Sequence, residues 1–389
     1  MAGNLKARLS RIRELRPASG SEAPPPRREQ PPVPRGFSSE WQPAGYQCLK
    51  RSITVDIPGG IPVTIEAPLS ILVPDLIPLF YGDGPPCAGI PSKRLLFFDL
   101  ETTGLSAAGS GTIAFLAALG RPVTPCNGAA GGLRVTQYLL LDFPGEADFL
   151  TNTLREFSFC DQDDSPVTVS YNGKAFDGQL LKTRCLMNGF EPPFLQHCDL
   201  LHPSRRLWKH TLPDCSQGTV ESLLPGLEGA RDGDLSGAFA PEMWFRFLRE
   251  GDTEGLLAVC DHNIRDLRGL AGILAALCRV ADAPLEAGAA LHCRTEALAL
   301  RFREALFRGF AASGTQDAAE ALLHRAAEEG APRACRILAI RAERVLQDPA
   351  QALDWTRRAL AGPAPLSGGL REEFLHRQER LVRKTLLTR

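Results

Sequence analysis

Residues 95–104 read Leu-Leu-Phe-Phe-Asp-Leu-Glu-Thr-Thr-Gly, an unbroken apolar run that closes on two carboxylates. A short continuous apolar run marks a strand buried on both faces, at the centre of a sheet covered by helices. Side chains alternate along a strand, so Asp99 and Glu101 point to the same side. Two buried carboxylates so close repel each other, and taking them out of water costs more still. A divalent cation removes that penalty, and Mg²⁺ or Mn²⁺ prefers oxygen ligands. Thr102, Thr103 and Gly104 follow as a tight polar turn whose backbone amides are expected to face a substrate phosphate or terminal nucleotide. With five positions fixed at about 5% usage each, chance yields the Asp-x-Glu-Thr-Thr-Gly pattern roughly once in a few million positions.

The surrounding pattern predicts an α/β sheet. "TIAFLAALG" and "LRVTQYLLLD" read as two further strands, "GEADFLTNTLREF" as a helix, "SPVTVSYNG" as a fourth strand and "KAFDGQLLKTRCLMNGF" as a second helix. Cys260, Ile264, Leu267, Leu270, Leu274 and Leu277 form one apolar stripe of a later helix. Upstream, "RSITVDIPGGIPVTIEAP" shows two alternating runs around Pro-Gly-Gly, which predicts a hairpin packed on the domain as an accessory strand pair. Residues 1–44 are rich in Pro and Arg and read as a disordered arm. After 284 the chain is rich in Ala, Arg, Leu and Glu, and reads as short helices joined at Gly-Ala-Pro and Asp-Pro. One of them, "DPAQALDWTRRAL", resembles a tetratricopeptide helix. The expected divisions are an arm (1–44), an accessory hairpin (45–90), an α/β domain (91–283) and an all-α helical-hairpin domain (284–389).

Two more acidic motifs follow the first. In "YNGKAFDGQLL", Asn172 ends a strand, where it could cap the next helix or bond a substrate, and Asp177 lies near the helix start, where the dipole favours a carboxylate. In "DHNIRDLRGL", His262 and Asp266 are four apart on a helix and share a face beside the apolar stripe. Asp261 is the rival of Asp266, which is preferred for sharing that face. Four carboxylates can hold two cations, a geometry suited to phosphodiester hydrolysis because charge builds on both flanking oxygens. A histidine can take the attacking water's proton near neutral pH. Arg205, Arg206, Trp208 and Lys209 form a basic cluster suited to phosphate contact and base stacking. Asp199 reads chiefly as a structural cap at a strand end.

Composition sets the outer limits. At 389 residues, 44% hydrophobic and 23% charged, the chain can bury a core and exceeds a single small module. No run of 18 uncharged apolar residues suggests a membrane span, and the charged N-terminus lacks the apolar stretch of a secretory signal. Eleven cysteines without a Cys-x-x-Cys pair argue against zinc knuckles and a disulfide framework, and for a reducing, cytoplasmic setting. The net charge of −1 conceals basic ends: residues 285–389 carry 17 basic and 13 acidic side chains, and residues 1–44 carry 8 and 4.

The three acidic motifs in this order resemble the DEDD superfamily of 3′–5′ exonucleases, and most closely its YprB-type ribonuclease H-like domain. "HCDLLHPSRRLWKHTLPDCSQGTVESLL" and "RDGDLSG" are similar to that family's central segments, so the resemblance covers about residues 90–280. It implies a ribonuclease H-like mixed sheet flanked by helices, with an appended helical region. By it, Asp99, Glu101, Asp177 and Asp266 are the metal ligands for two Mg²⁺ or Mn²⁺ ions, and His262 stands where the family has its general base. The histidine branch of the family separates its His and Asp by four residues. Here three intervene, the spacing of the tyrosine branch, which leaves the base open between His262 and another group. The resemblance implies a metal-dependent nuclease acting on single-stranded or frayed DNA or RNA ends. A non-catalytic nucleic-acid or protein scaffold that keeps the fold is the alternative. The helical region is a place for a protein partner to dock.

Overall fold

A computed structural model describes residues 32–387 except 83–88, 105–110, 124–130, 159–164, 228–230, 232, 234–236 and 309–312. Most of the predicted arm, residues 1–31, therefore lies outside the described residues, but its end is no arm: Trp41 is buried in the core and Gln42–Gly45 pairs into the sheet, because both find partners in later segments. The described strands are β1 (Gln42–Gly45), β2 (Cys48–Asp56), β3 (Thr64–Ile65), β4 (Ile90–Pro91), β5 (Leu95–Thr102), β6 (Ala114–Val123), β7 (Gly132–Leu140), β8 (Val167–Ser170) and β9 (Gln196–Asp199). Seven of them form one sheet in the order β1-β2-β7-β6-β5-β8-β9. Neighbours from β1 to β5 run antiparallel, whereas β5, β8 and β9 run parallel. The sheet is mixed, as expected, and β5 sits at the junction. Leu96, Phe97 and Phe98 of β5 are wholly buried, which explains the unbroken apolar run.

The longer helices of the sheet domain are α1 (Glu146–Phe157), α2 (Asp177–Met187), α3 (Leu201–Trp208), α4 (Ala240–Glu250) and α5 (Thr253–Asp282). Alternation along β5 feeds two cores. Phe98 and Leu100 join Phe149, Leu150, Leu180 and Leu181 from α1 and α2, with Trp244 from α4. Phe97 joins Leu267, Leu270, Leu274 and Leu277 of α5, so the apolar stripe read in the sequence lies against the sheet. The Trp244 indole N–H donates to the Leu140 carbonyl at 2.8 Å and fixes α4 to the end of β7. The Asp252 carboxylate caps α5 by accepting from the Glu254 and Gly255 amides.

One expectation needs correction. Pro58-Gly59-Gly60 does not join the two strands of a hairpin: β2 pairs with β1 and along its whole length with β7, from Cys48 opposite Leu140 to Asp56 opposite Gly132. Gly59 and Gly60, both at positive φ, instead turn the chain out of the sheet, and the second run pairs as β3 with β4. A lone two-stranded hairpin is marginal in water, whereas the open edge of β7 offers a nine-residue ladder already backed by a core.

Among the described residues, five longer helices follow: α6 (Thr295–Arg308), α7 (Ser313–Glu328), α8 (Pro332–Arg344), α9 (Pro349–Ala361) and α10 (Gly368–Leu387). Pro332 and Pro349 each occupy the first position of a helix, where the missing N–H costs nothing, and Asp348 caps α9 through the Gln351 amide. Small buried residues such as Ala319, Ala326, Ala334 and Ala339 line the helix contacts. This helical core runs without a break into that of α5, through Leu291, Leu298 and Phe302. No described helix is long and apolar enough to cross a membrane.

Candidate active site

Strand β8 is short. Its pairing with β5 stops at Phe97 opposite Val169, so the last residues of β5 have no parallel neighbour. The gap beyond β8 becomes a cleft of about 340 Å³ at the end of β5. Asp99 and Glu101 enter it from β5, Asp177 from the first residue of α2, and His262 and Asp266 from α5. The five residues singled out as catalytic candidates in the sequence therefore share one cavity. Leu100, Phe176, Leu180 and Pro241 form an apolar wall, and no Lys or Arg is among the described lining residues.

Ligand atoms of Glu101, His262 and Asp266 lie within 4.8 Å of one another, close enough for a single cation. His262 Nε2 is 3.3 Å from Asp266 Oδ2 across one helical turn, as the spacing demands. Asp99 accepts a 2.6 Å hydrogen bond from Asn263, the residue after His262. Burial first, then the charges of Asp177, Asp266 and Glu101, hold the Asp99 carboxyl well above the usual carboxylate range. Burial, then Asp266 and Asp177, do the same to Glu101. Burial pushes Asp177 up to about 7, although its own amide and that of Leu100 donate to it. Buried Glu101, half-buried Asp99 and Asp177, one imidazole and a fourth acid make a hard, oxygen-rich donor set. Such a set fits Mg²⁺ or Mn²⁺.

Several supporting residues escaped the sequence reading. Arg51 on β2 donates to Gln137 on β7 at 2.7 Å, and Gln137 donates to Asn263 at 2.9 Å, so a buried hydrogen-bonded line ends on Asp99. Asp266 is paired at 2.5 Å with Arg231, which also grips Glu221 at 2.6 and 2.9 Å. Gly269 lets Glu221 lie directly on α5, because a Cβ there would collide with its carboxylate. Gln137 stands in the apolar stretch of β7 as a wholly buried polar residue, the one signal that could have flagged it. Arg231 and Glu221 offer no local signal, because their partners come from distant segments.

Other expected residues are not brought to the cleft. Thr102 and Gly104 line it, but Thr103 is tied to Ile113 through both its amide and its hydroxyl, so its N–H is not offered to a substrate. A bulge after Glu101 produces this arrangement. Asn172 does not line the cleft. It turns the chain at positive φ (65°) and donates its amide to Asp199, which acts as the structural cap expected of it. Arg205 and Arg206 lie on α3, outside the lining. Trp208 is wholly buried and bonds the Leu291 carbonyl, which excludes base stacking. Asp261 is paired with Arg51 outside the cleft, leaving Asp266 as the acid facing His262.

Comparison with known proteins agrees with this fold. Residues 96–278 match the model of the RNase_H superfamily. The chain is 38% identical over 186 residues to a Bacillus subtilis (strain 168) protein described as "Uncharacterized protein YprB", an alignment covering 47% of this chain and 41% of that one. The chain thus spans less than half the length of this relative. A looser likeness to the family B DNA polymerase of Pyrobaculum calidifontis has a TM-score of 0.35 at 17% identity, covers 57% of this chain and 30% of that one, and is too distant to bear on function. The mixed sheet with its flanking helices, matched over residues 96–278 by that model, is a ribonuclease H-like fold, followed by an all-helical region.

Proposed function

We propose that this protein is a metal-dependent nuclease that hydrolyses phosphodiester bonds, as a 3′–5′ exonuclease on single-stranded or frayed ends of DNA or RNA. The observation that carries the reading is the convergence of Asp99, Glu101, Asp177 and Asp266 with His262 in one cleft whose described lining residues include no Lys or Arg. Acids brought together at such cost to folding need a counter-charge, and two Mg²⁺ or Mn²⁺ ions held by these four carboxylates would supply it while activating water and stabilising the leaving oxygen.

The chain's own groups divide the remaining work. Asn263, fixed through Gln137 and Arg51, orients the Asp99 carboxylate. His262, held against Asp266, accepts the proton of the attacking water. Phe176 is 44% exposed at the mouth and offers a face for the terminal base. The cleft volume sits at the lower end of small-ligand pockets, roughly 300–1,000 Å³, which supports a strand end rather than a duplex as the group admitted. A reducing cytoplasm suits a chain whose eight described cysteines are all free. The helical region, read as tetratricopeptide-like hairpins, is assigned to docking.

The test is a time course on end-labelled DNA and RNA with Mg²⁺ or Mn²⁺, for wild type, Asp99→Ala and Asp177→Ala. Stepwise loss of nucleotides from the 3′ end by the wild type, and none by the folded variants, is the expected result. The scaffold reading draws on one feature, the Arg231 guanidinium that satisfies Asp266. Tight metal-dependent oligonucleotide binding without any turnover would favour it and refute the nuclease.

A further inference from the structure

A second cleft, of about 540 Å³, opens between the sheet domain and the helical region. Four arginines line it: Arg301 and Arg303 from α6, Arg333 and Arg336 from α8. Glu373 is the one acid among its described lining residues, and it is engaged by Arg336 at 2.8 and 2.9 Å. Arg303 and Arg333 are exposed. The opposite wall comes from the segment containing Pro74 and Ile77.

The two clefts have opposite character. The acidic one draws cations and has no Lys or Arg among its described lining residues to grip a polyanion, yet affinity for nucleic acid comes mainly from neutralising phosphates with Lys and Arg. The arginine cleft supplies what the first lacks. A short line of contacts joins them. Asp75, between Pro74 and Ile77, pairs with Lys174 at 2.5 Å and accepts the Asp199 amide, and Asp199 accepts the amides of Asn172 and Lys174. That turn runs straight into Phe176 and Asp177 of the acidic cleft. We infer that the arginine cleft binds the phosphodiester backbone of the single strand whose end occupies the acidic cleft. The inference rests on the nuclease reading for the identity of its ligand. It makes the helical region a substrate-holding part of the protein and not only a platform for other proteins.

The experiment is equilibrium binding of a labelled single-stranded oligonucleotide to the full chain across a salt series. It is run with EDTA present, so that the result does not depend on hydrolysis. For Arg303→Gln/Arg333→Gln, loss of two phosphate contacts should make the slope of log K against log salt shallower by about 1.4 and weaken binding about 25-fold at about 0.1 M salt. Arg303→Lys/Arg333→Lys, which keeps the point charges, should retain most of the slope. Melting curves establish that each variant is folded. Wild-type affinity should also rise from a trinucleotide to a longer strand, and the glutamine variant should lose that gain. An unchanged affinity and slope in the folded glutamine variant overturns the inference and leaves the nuclease reading intact. So does saturation of the cleft by inorganic phosphate with no effect on oligonucleotide binding. Absence of cleavage in the metal-containing time course would instead strike the nuclease reading alone.

Discussion

Replacing Asp177 by Asn should stabilise the metal-free protein while disabling it. The side chain is half-buried at the head of α2, and its carboxyl is pushed from an ordinary value of 3.8 up to about 7, chiefly by the loss of water around it. A carboxyl raised on folding stays protonated longer in the folded chain than in the unfolded one, so its ionised form is what folding penalises. Its contribution is therefore harmless below about pH 4, and stability falls as pH climbs to about 7. At 1.36 kcal/mol per tenfold change, the loss reaches about 4 kcal/mol above that pH. Asn removes the charge, keeps an oxygen for the Leu100 amide and lifts one source of repulsion from Asp99 and Glu101. For a domain of this size, about 4 kcal/mol corresponds to a melting shift of about 8–16 °C. Thermal denaturation in EDTA should show the variant and the wild type converging near pH 4 and diverging toward pH 8. Added Mg²⁺ should raise the wild-type melting temperature and close most of the gap, because ligand binding stabilises only the form that can bind it. If Asp177→Asn melts at or below the wild-type temperature in EDTA at pH 8, the electrostatic account of the cleft is wrong.

Three further outcomes are expected. Asn263→Ala removes the hydrogen bond that aims Asp99, and should weaken Mn²⁺ binding measured by calorimetry about 10- to 100-fold. Arg231→Ala strands the buried Glu221 carboxylate, whose pKa burial already raises, and should destabilise the fold by about 3 kcal/mol in denaturant titrations; a gain in stability would show that the pair is dispensable. Phe176→Ala should raise KM for oligonucleotide ends by the worth of one stacked base, about 1–3 kcal/mol, with kcat little changed; a purely catalytic loss would contradict its place at the mouth.

The local sequence determined a good deal. The apolar run of 95–98 and its closing acids announced a central strand with a charged end, because a strand buried on both faces leaves no other place for such residues. The four-residue spacing of His262 and Asp266 put both on one face of a helix, which geometry alone guarantees. Pairing across the chain was a different matter. The fate of the run before Pro58 depended on an edge of β7 more than 70 residues downstream, so its own alternation could not say which strand it would join. Asn172 and Thr103 have polar groups that suited a substrate, yet their amides are taken by Asp199 and Ile113, partners that only the fold supplies. The line from Arg51 through Gln137 and Asn263 to Asp99, and the clasp of Arg231 on Glu221 and Asp266, join residues from distant segments. A hydrogen bond between groups far apart in the chain leaves no periodic trace in the sequence. Local spacing fixes which side chains share a face, while the tertiary packing of strands and helices decides which faces meet.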